Sequence, residues 1–487
     1  MYASAGDLYA NAVFGRDSVE VAEDLLAPCP DLAHDVILTL GRLQGIVDAP
    51  PGPDCSEEEP GRIHHEHREL EIDGVRVSAR SRELLEHLSA IWGGDGRSMT
   101  YYGSVDATPL YVRLVAAYAG RCGPGILDEP LLDRAGRTVT VRDCVLRAME
   151  WLERRIARSA QGLVEFQRQN PRGIPYQVWK DSGTSYVHRD GRLASWEGPV
   201  AAVEVQGYTY DALLGAAGLL GGAEPELAAR WRREASALRT RVLERFWMPG
   251  EAYFAMGLDR DAAGTPTLVD SVASNGALLL DTAIFDGLPD AERYLGGVVT
   301  RVCGPEFLTE VGVRCRSLAE DGLIDFQDYH GTWAVWAKEA SDVARGLERQ
   351  GFPRLAEQVR ARLLNGVNVA GEHAEFLYVS PDGRVHYDFR GRAGHGPNPT
   401  QIVGTNVPDQ AQAWTVSAAL AIKLRASPAR EGAAGWRREL EDAVLDAIPR
   451  AGRLRTGPEL ETAFARRGDF VIDVEEGWAR ARAARPA

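Results

Sequence analysis

Apolar residues along this chain recur mainly with the helical period. Val141 to Ser159 reads VRDCVLRAMEWLERRIARS, and it sets Val145, Ala148, Met149, Leu152 and Ile156 on one face. The same pattern predicts helices over Leu110 to Tyr118, Glu204 to Leu220, Glu226 to Phe246, Ser271 to Phe285, Ala291 to Val302, Trp333 to Glu348, Leu355 to Asn365 and Gln410 to Leu424. Two stretches, DALLGAAGLLGG and QAWTVSAALAIKL, are apolar nearly all round, which predicts packing on two sides. Strand signals are short: VRVSA near residue 75 and AYFAMGLD near residue 252 read as hairpin pieces within loops.

Between the helices run long segments rich in Gly, Pro, Asp, His and aromatics: residues 49–62, 92–106, 166–199, 303–333 and 371–409. Loops of this length in a compact domain are usually functional. With about twelve helices across residues 1–425, the pattern predicts an all-α toroid, its helices alternating inward and outward and the loops at one end building a pocket. After Arg425 the chain turns Ala- and Arg-rich. Residues 426–487 read as a C-terminal helical appendage outside the core, with amphipathic helices near 434–448 and 458–466.

Composition narrows the class. At 487 residues the chain can bury a large core, and 45% hydrophobic with 26% charged residues is ordinary for a globular protein. A formal charge of -15, with no basic stripe to offset it, argues against nucleic acid and suits a neutral ligand. The N-terminus has no basic region followed by an apolar run, and no 18-residue apolar stretch occurs, so no membrane partner and a cytoplasmic location are expected. The six cysteines lack CxxC spacing and read as free thiols. His64-His65-Glu66-His67 lacks the HExxH helical spacing of a metal site, and no GxGxxG, Walker or nucleophile-elbow signature is present. Neither a metal nor a cofactor is expected.

The candidate chemistry centres on Gln177-Val178-Trp179-Lys180-Asp181-Ser182. An acid lies between a large aromatic and a hydroxyl, with a lysine beside it. A carboxyl group against an indole face is desolvated and holds its proton longer, as a general acid must. The aromatic also offers a flat platform for a sugar ring.

Eight segments in order carry a family resemblance. They are Phe14-Gly15-Arg16-Asp17-Ser18, Arg62 to Leu70, Tyr101 to Pro109, Trp179-Lys180-Asp181-Ser182, Val203 to Tyr208, Thr309 to Arg314, Asp328 to Trp333 and Ala411-Gln412-Ala413-Trp414. Over residues 1–425 the chain resembles the catalytic domain of bacterial glycogen-debranching-type amylo-α-1,6-glucosidases. These lie within the clan of (α/α)6-barrel glycosidases that also holds glucoamylases and mannosylglycerate or glucosylglycerate hydrolases. The resemblance implies a six-hairpin (α/α)6 barrel over residues 1–425 and hydrolysis with inversion at the anomeric carbon.

It also implies roles. Asp181 matches the proton donor. The base matches Glu375 in His373-Ala374-Glu375-Phe376-Leu377, where the family's Pro-Glu-Leu-Phe is altered, with Glu372 as the fallback. An attacking water requires roughly 6.5–9.5 Å between the two carboxyls. Arg16 and Asp17 would clamp vicinal hydroxyls, donating and accepting respectively; the competing role is a salt bridge and cap at a helix start. Tyr102 and Asp106 would line the same pocket, Asp106 serving equally well as a helix cap. Trp179 and Lys180 flank the acid. Glu204 and Gln206 stand two apart at a helix start, so only one faces the pocket squarely and a buried polar tether is the alternative. His330 and Trp333 lie where the family has Asn-Gly-Ser-Val-Trp-Pro, which alters subsite shape. Gln412 and Trp414 would form the pocket floor.

The expected activity is an inverting glycoside hydrolase of an α-glucoside or related glycan. Open beside it are a hydrolase or phosphorylase of a small compatible-solute glycoside and a non-catalytic glycan-binding barrel. Debranching enzymes usually carry a large β-rich N-terminal region. This chain begins almost at the first barrel helix, which favours a small glycoside or a glycan delivered by another protein.

Overall fold

The computed structural model describes residues 9, 11–72, 75–76, 78–95, 97–386, 408–409, 411–425, 434–448 and 455–456. They hold thirteen α-helices joined by short strands and long loops. The chain divides into two compact units. The first takes Met1–Gly183, Ser195–Arg245 and Leu258–Thr267, and the second takes Thr184–Ala194, Phe246–Gly257 and Leu268–Ala487.

In the first unit a three-stranded antiparallel sheet runs Ala12–Phe14, Glu66–Glu69, Ser98–Tyr101, with Phe14 opposite Glu66 and Glu66 opposite Tyr101. Helices α1 (Gly15–Leu25) and α2 (Pro30–Arg42) follow the first strand, and α3 (Ala79–Trp92) precedes the third. α4 (Ala107–Cys122) packs against α1 and against α6 (Val203–Leu220), and α6 packs in turn against α7 (Pro225–Arg245). α6 therefore has helix on two sides, as its all-round apolar character predicts. α5 (Val141–Arg158) opens with a capping box, Thr140 and Asp143 each accepting from the other's backbone N–H.

In the second unit, residues 271–285 do not form the continuous helix that their periodicity predicts. They form a single turn of helix, α8 (Asn275–Leu278), and two 3-10 turns, Leu279–Asp281 and Ala283–Phe285. The break is Thr282, whose backbone is extended and whose hydroxyl caps the second turn at Ile284 N. α9 (Ala291–Val302) follows. The start of the Trp333 to Glu348 stretch is strand: Ala334–Trp336 pairs antiparallel with Phe376–Val379 before α10 (Ala337–Arg349) begins. β-Branched and aromatic residues gain more from that ladder than from one further helical turn. α10 packs on α11 (Pro353–Ala370) and on the apolar α12 (Ala413–Leu424).

α13 (Trp436–Ala447) lies in the predicted appendage, and it packs back onto α9 and α11. Its fully buried Glu441 accepts from Arg354 N at 2.8 Å and Leu355 N at 3.2 Å, capping α11 where α11 has no side-chain cap of its own. The helix predicted near 458–466 lies outside the described residues. Among the described residues no helix is long and apolar enough to cross a membrane, and all six cysteines are free.

One glycine shows how tightly the first strand joins α1. A Cβ at Gly15 would stand 2.1 Å from the carbonyl oxygen of His64, which is rigid backbone. Gly120, in α4, has nothing within 4 Å of its would-be Cβ. Gly15→Ala should lower the unfolding free energy by about 1–3 kcal/mol through overpacking. Gly120→Ala should raise it by about 0.5–1 kcal/mol through helix propensity. Urea unfolding of the two variants beside wild type reads both; an unchanged Gly15→Ala would refute the close approach.

Candidate active site

In the first unit, three carboxyl groups from three sequence motifs gather about the Arg16 guanidinium, which lies over one indole. Gly15 lets the strand turn into α1, so Arg16 and Asp17 fall in the helix's first turn. The N-cap is Phe14, whose side chain makes no cap bond; the Asp17 carboxyl takes its own backbone N–H in the first turn. Arg16 Nη1 donates to Asp106 Oδ2 at 2.9 Å, and Nη2 stands 3.8 Å from Asp181 Oδ2. The Arg16 guanidinium lies 5.7 Å from the Trp179 ring centre and Lys180 Nζ lies 5.8 Å from it. Asp106 occupies the N-cap position of α4 but makes no cap bond; its carboxylate takes Arg16 and the Ser104 hydroxyl instead.

Burial opposes the Arg16 charge, yet Asp106, Asp17 and Asp181 outweigh it, and its pKa moves up. Asp17 moves the other way from most carboxylates near an arginine. Burial raises it to about 7, against the pull of Arg16 and with Asp181 and Asp106 adding to the rise. Near neutrality Asp17 therefore carries a proton part of the time and offers a donor as well as an acceptor. Of the four, Asp181 is the most accessible, its side chain 20% exposed.

Other expected pocket residues of this unit are buried and make contacts within the fold. Trp179 is 2% exposed, so the indole backs the wall of the cluster and is not displayed as a platform. Tyr102 is buried; its hydroxyl donates to Leu43 O at 2.7 Å and accepts from Arg134 at 2.8 Å. Gln206 acts as a buried polar tether. Its amide accepts from Val164 N at 3.0 Å and donates to Val164 O and Ala202 O. Glu204 is fully buried on the same turn. The histidine run packs: His64 bonds Val13 O, His67 bonds Thr100 and Glu69, and His65 meets Phe14, Trp92 and Tyr101 edge-on. Burial lowers His64 to about 3. Among the described residues no three His, Cys, Asp or Glu could hold a metal ion.

The second unit gathers the other predicted residues. His330 is buried between Tyr329, 4.3 Å away, and Trp336, stacked at 5.5 Å. Trp336 also meets Phe376 at 4.7 Å and Trp414 edge-on at 5.6 Å. The Trp333 ring lies on Phe326, and its Nε1 donates to Asp321 at 2.8 Å. Glu375 enters the strand Phe376–Val379. Its N–H donates to Asp409 O at 2.9 Å and its carboxylate accepts from Asp409 N at 3.0 Å. Glu372 is less buried than Glu375. Gln412 N–H donates to His373 O, tying the start of α12 to the segment that carries Glu375.

Two buried arginines, and one acid among several, went without a role in the sequence. Arg62 binds three loops in the first unit, and Arg314 donates to Thr332 O, Val379 O and Ser380 O in the second. Burial lowers Arg314 to about 10. Both lay inside quoted motifs, which was their only signal. Glu57 was hidden in the run Glu57-Glu58-Glu59, which reads as a solvated charge run; it is 1% exposed.

No family model matches the chain, and no curated protein matches it. Solved structures do. The GH63 mannosylglycerate hydrolase from Thermus thermophilus in complex with Tris is 16% identical, with 87% of this chain and 95% of that chain covered at a TM-score of 0.54. The same enzyme in complex with glucose is 14% identical, with 87% and 97% covered at 0.53. A conserved protein from that organism is 15% identical, with 86% and 94% covered at 0.52. The chain shares the fold of these helical proteins, and identities this low speak for the fold alone.

The Asp17 shift has a defined sign. An unfolded Asp titrates near 3.8 and the folded one near 7. Between those values the folded state holds a proton that the unfolded state has lost, so this residue's contribution to stability falls as pH rises and is constant above about 7. Asp17→Asn cannot titrate. From about pH 4 to about pH 7.5, urea unfolding should show the variant gaining on wild type by on the order of a few kcal/mol. A difference that does not vary with pH would exclude the shift.

Proposed function

We propose that this chain is an inverting glycoside hydrolase of an α-glucoside or related glycan. In this reading residues 1–425 form an (α/α)6 barrel and residues 426–487 a helical extension. The observation that carries it is the convergence of Asp17, Asp106 and Asp181 on Arg16, whose guanidinium lies over buried Trp179. Asp181, 20% exposed beside a guanidinium and two more deeply buried carboxyls, adds an acceptor next to donors, which suits sugar hydroxyls that both donate and accept. The shared fold with a GH63 mannosylglycerate hydrolase supports carbohydrate chemistry.

Asp181 gives its proton to the glycosidic oxygen as the bond to the anomeric carbon breaks. Glu375 takes a proton from the water that attacks the opposite face, so the product has inverted configuration. Arg16 and Asp17 hold hydroxyls of the reacting sugar. A second reading is a small compatible-solute glycoside, favoured by the mannosylglycerate hydrolase that shares the fold.

The test is a screen of maltose, isomaltose, glucosylglycerate and mannosylglycerate, with and without inorganic phosphate, following the product anomer by NMR. Asp181→Asn and Glu375→Gln should each lower kcat by about 10²–10⁴-fold on the substrate found, and Glu372→Gln should not. Retained turnover in Asp181→Asn would remove Asp181 as the acid. Tight oligosaccharide binding by wild type without any turnover would point to a binding barrel instead.

A further inference from the structure

Arg62 has no exposed surface, so it cannot touch a substrate. Its guanidinium reaches three loops at once. Nε donates to Ser104 O at 3.1 Å, Nη1 to Glu57 O at 3.0 Å, and Nη2 to Gln177 Oε1 at 3.0 Å. The circle closes on itself: Gln177 Nε2 donates to Glu57 Oε2 at 2.7 Å, and Val105 N–H donates to Gln177 O at 2.8 Å. Glu57 also accepts from the Tyr101 hydroxyl at 3.1 Å and from Asn170 N. Glu57 holds a left-handed backbone, φ 57°, that a non-glycine residue keeps only when its surroundings impose it.

The tied residues stand just upstream of the charged cluster. Gln177 precedes Trp179 and Asp181 on one loop. Ser104 precedes Asp106, and its hydroxyl donates to that carboxylate. One guanidinium thus sets the spacing between the loop bearing Asp181 and the loop bearing Asp106, the partner of Arg16.

We infer that Arg62, acting through Gln177 and Glu57, is a positioning residue for the Asp181 carboxyl. This rests on the reading of Asp181 as the general acid. Proton transfer in the transition state tolerates little misplacement, and about 1 Å costs about 10²-fold. A lysine at position 62 keeps the charge but lacks the planar fork that reaches three acceptors.

The experiment uses leaving groups. The sugar identified by the screen above is supplied as its methyl glycoside, whose departure needs a proton, and as its glycosyl fluoride, whose departure does not. Arg62→Lys, assayed well below its melting temperature, should lose about 10–100-fold in kcat on the methyl glycoside with KM within about threefold. Its rate on the fluoride should stay within about threefold of wild type. Equal losses on both substrates would make Arg62 a fold residue only, and no loss on either would remove any role; both overturn the proposal. Should Arg62→Lys not fold, Gln177→Ala leaves the arms to Glu57 and Ser104 in place and is expected to show the same split, with the same outcomes counting against it. Asp181→Asn keeps the two questions separate. Wild-type turnover of the methyl glycoside by that variant would sink the acid assignment itself, whatever Arg62→Lys does.

Discussion

A guanidinium sealed from water must spend its donors on the protein, because an uncompensated buried charge costs several kcal/mol. Arg62 meets that demand with acceptors from three separate loops, and the Trp151 ring lies 5.7 Å from its carbon. Long loops lose much conformational freedom on ordering, and here one ion supplies the common reference point. The second unit uses the same device. Arg314 draws together the carbonyls of Thr332, Val379 and Ser380, just beyond His330 and at the end of the strand that follows Glu375. In both units charge burial does for the loops what hydrophobic packing does for the helices.

Most helices from α4 onward were legible because their signal is periodic and local, whereas α1, α2 and α3 were not placed. α5, α6, α7 and α9 fall within a residue or so of their apolar patterns. Two failures share one cause. At Ala334–Trp336 the partner strand, and at Thr282 a hydroxyl cap with an extended backbone, outweighed a helical period that was present in the residues. Neither competitor is visible in a window of a dozen residues.

The charged cluster was legible as a set of motifs and not as a geometry. Arg16, Asp17, Asp106 and Asp181 each had a local alternative, and their gathering about one guanidinium is something no local stretch of sequence displays. Asp106 shows this well: it sits where a helix cap belongs, yet its carboxylate binds Arg16 and Ser104 and caps nothing. Trp179 is the opposite case. A tryptophan beside an acid reads the same whether it is displayed or buried, and the structure buries it beneath Arg16 and Lys180. Gln206 and Tyr102 went the same way, their polar atoms satisfied by backbone and by Arg134.

The cluster sets the carboxyls of Asp17, Asp106 and Asp181 against two cations, the Arg16 guanidinium and Lys180 at Trp179. Asp17 responds by holding its proton up to about 7, through its burial first and the two neighbouring carboxyls second. Lys180 beside the same ring and the proton on Asp17 both offset that excess of carboxyls. The consequence is a cluster that offers donors and acceptors together and no strong field of one sign. A group brought against it would be sorted by the geometry of its hydrogen bonds before its charge.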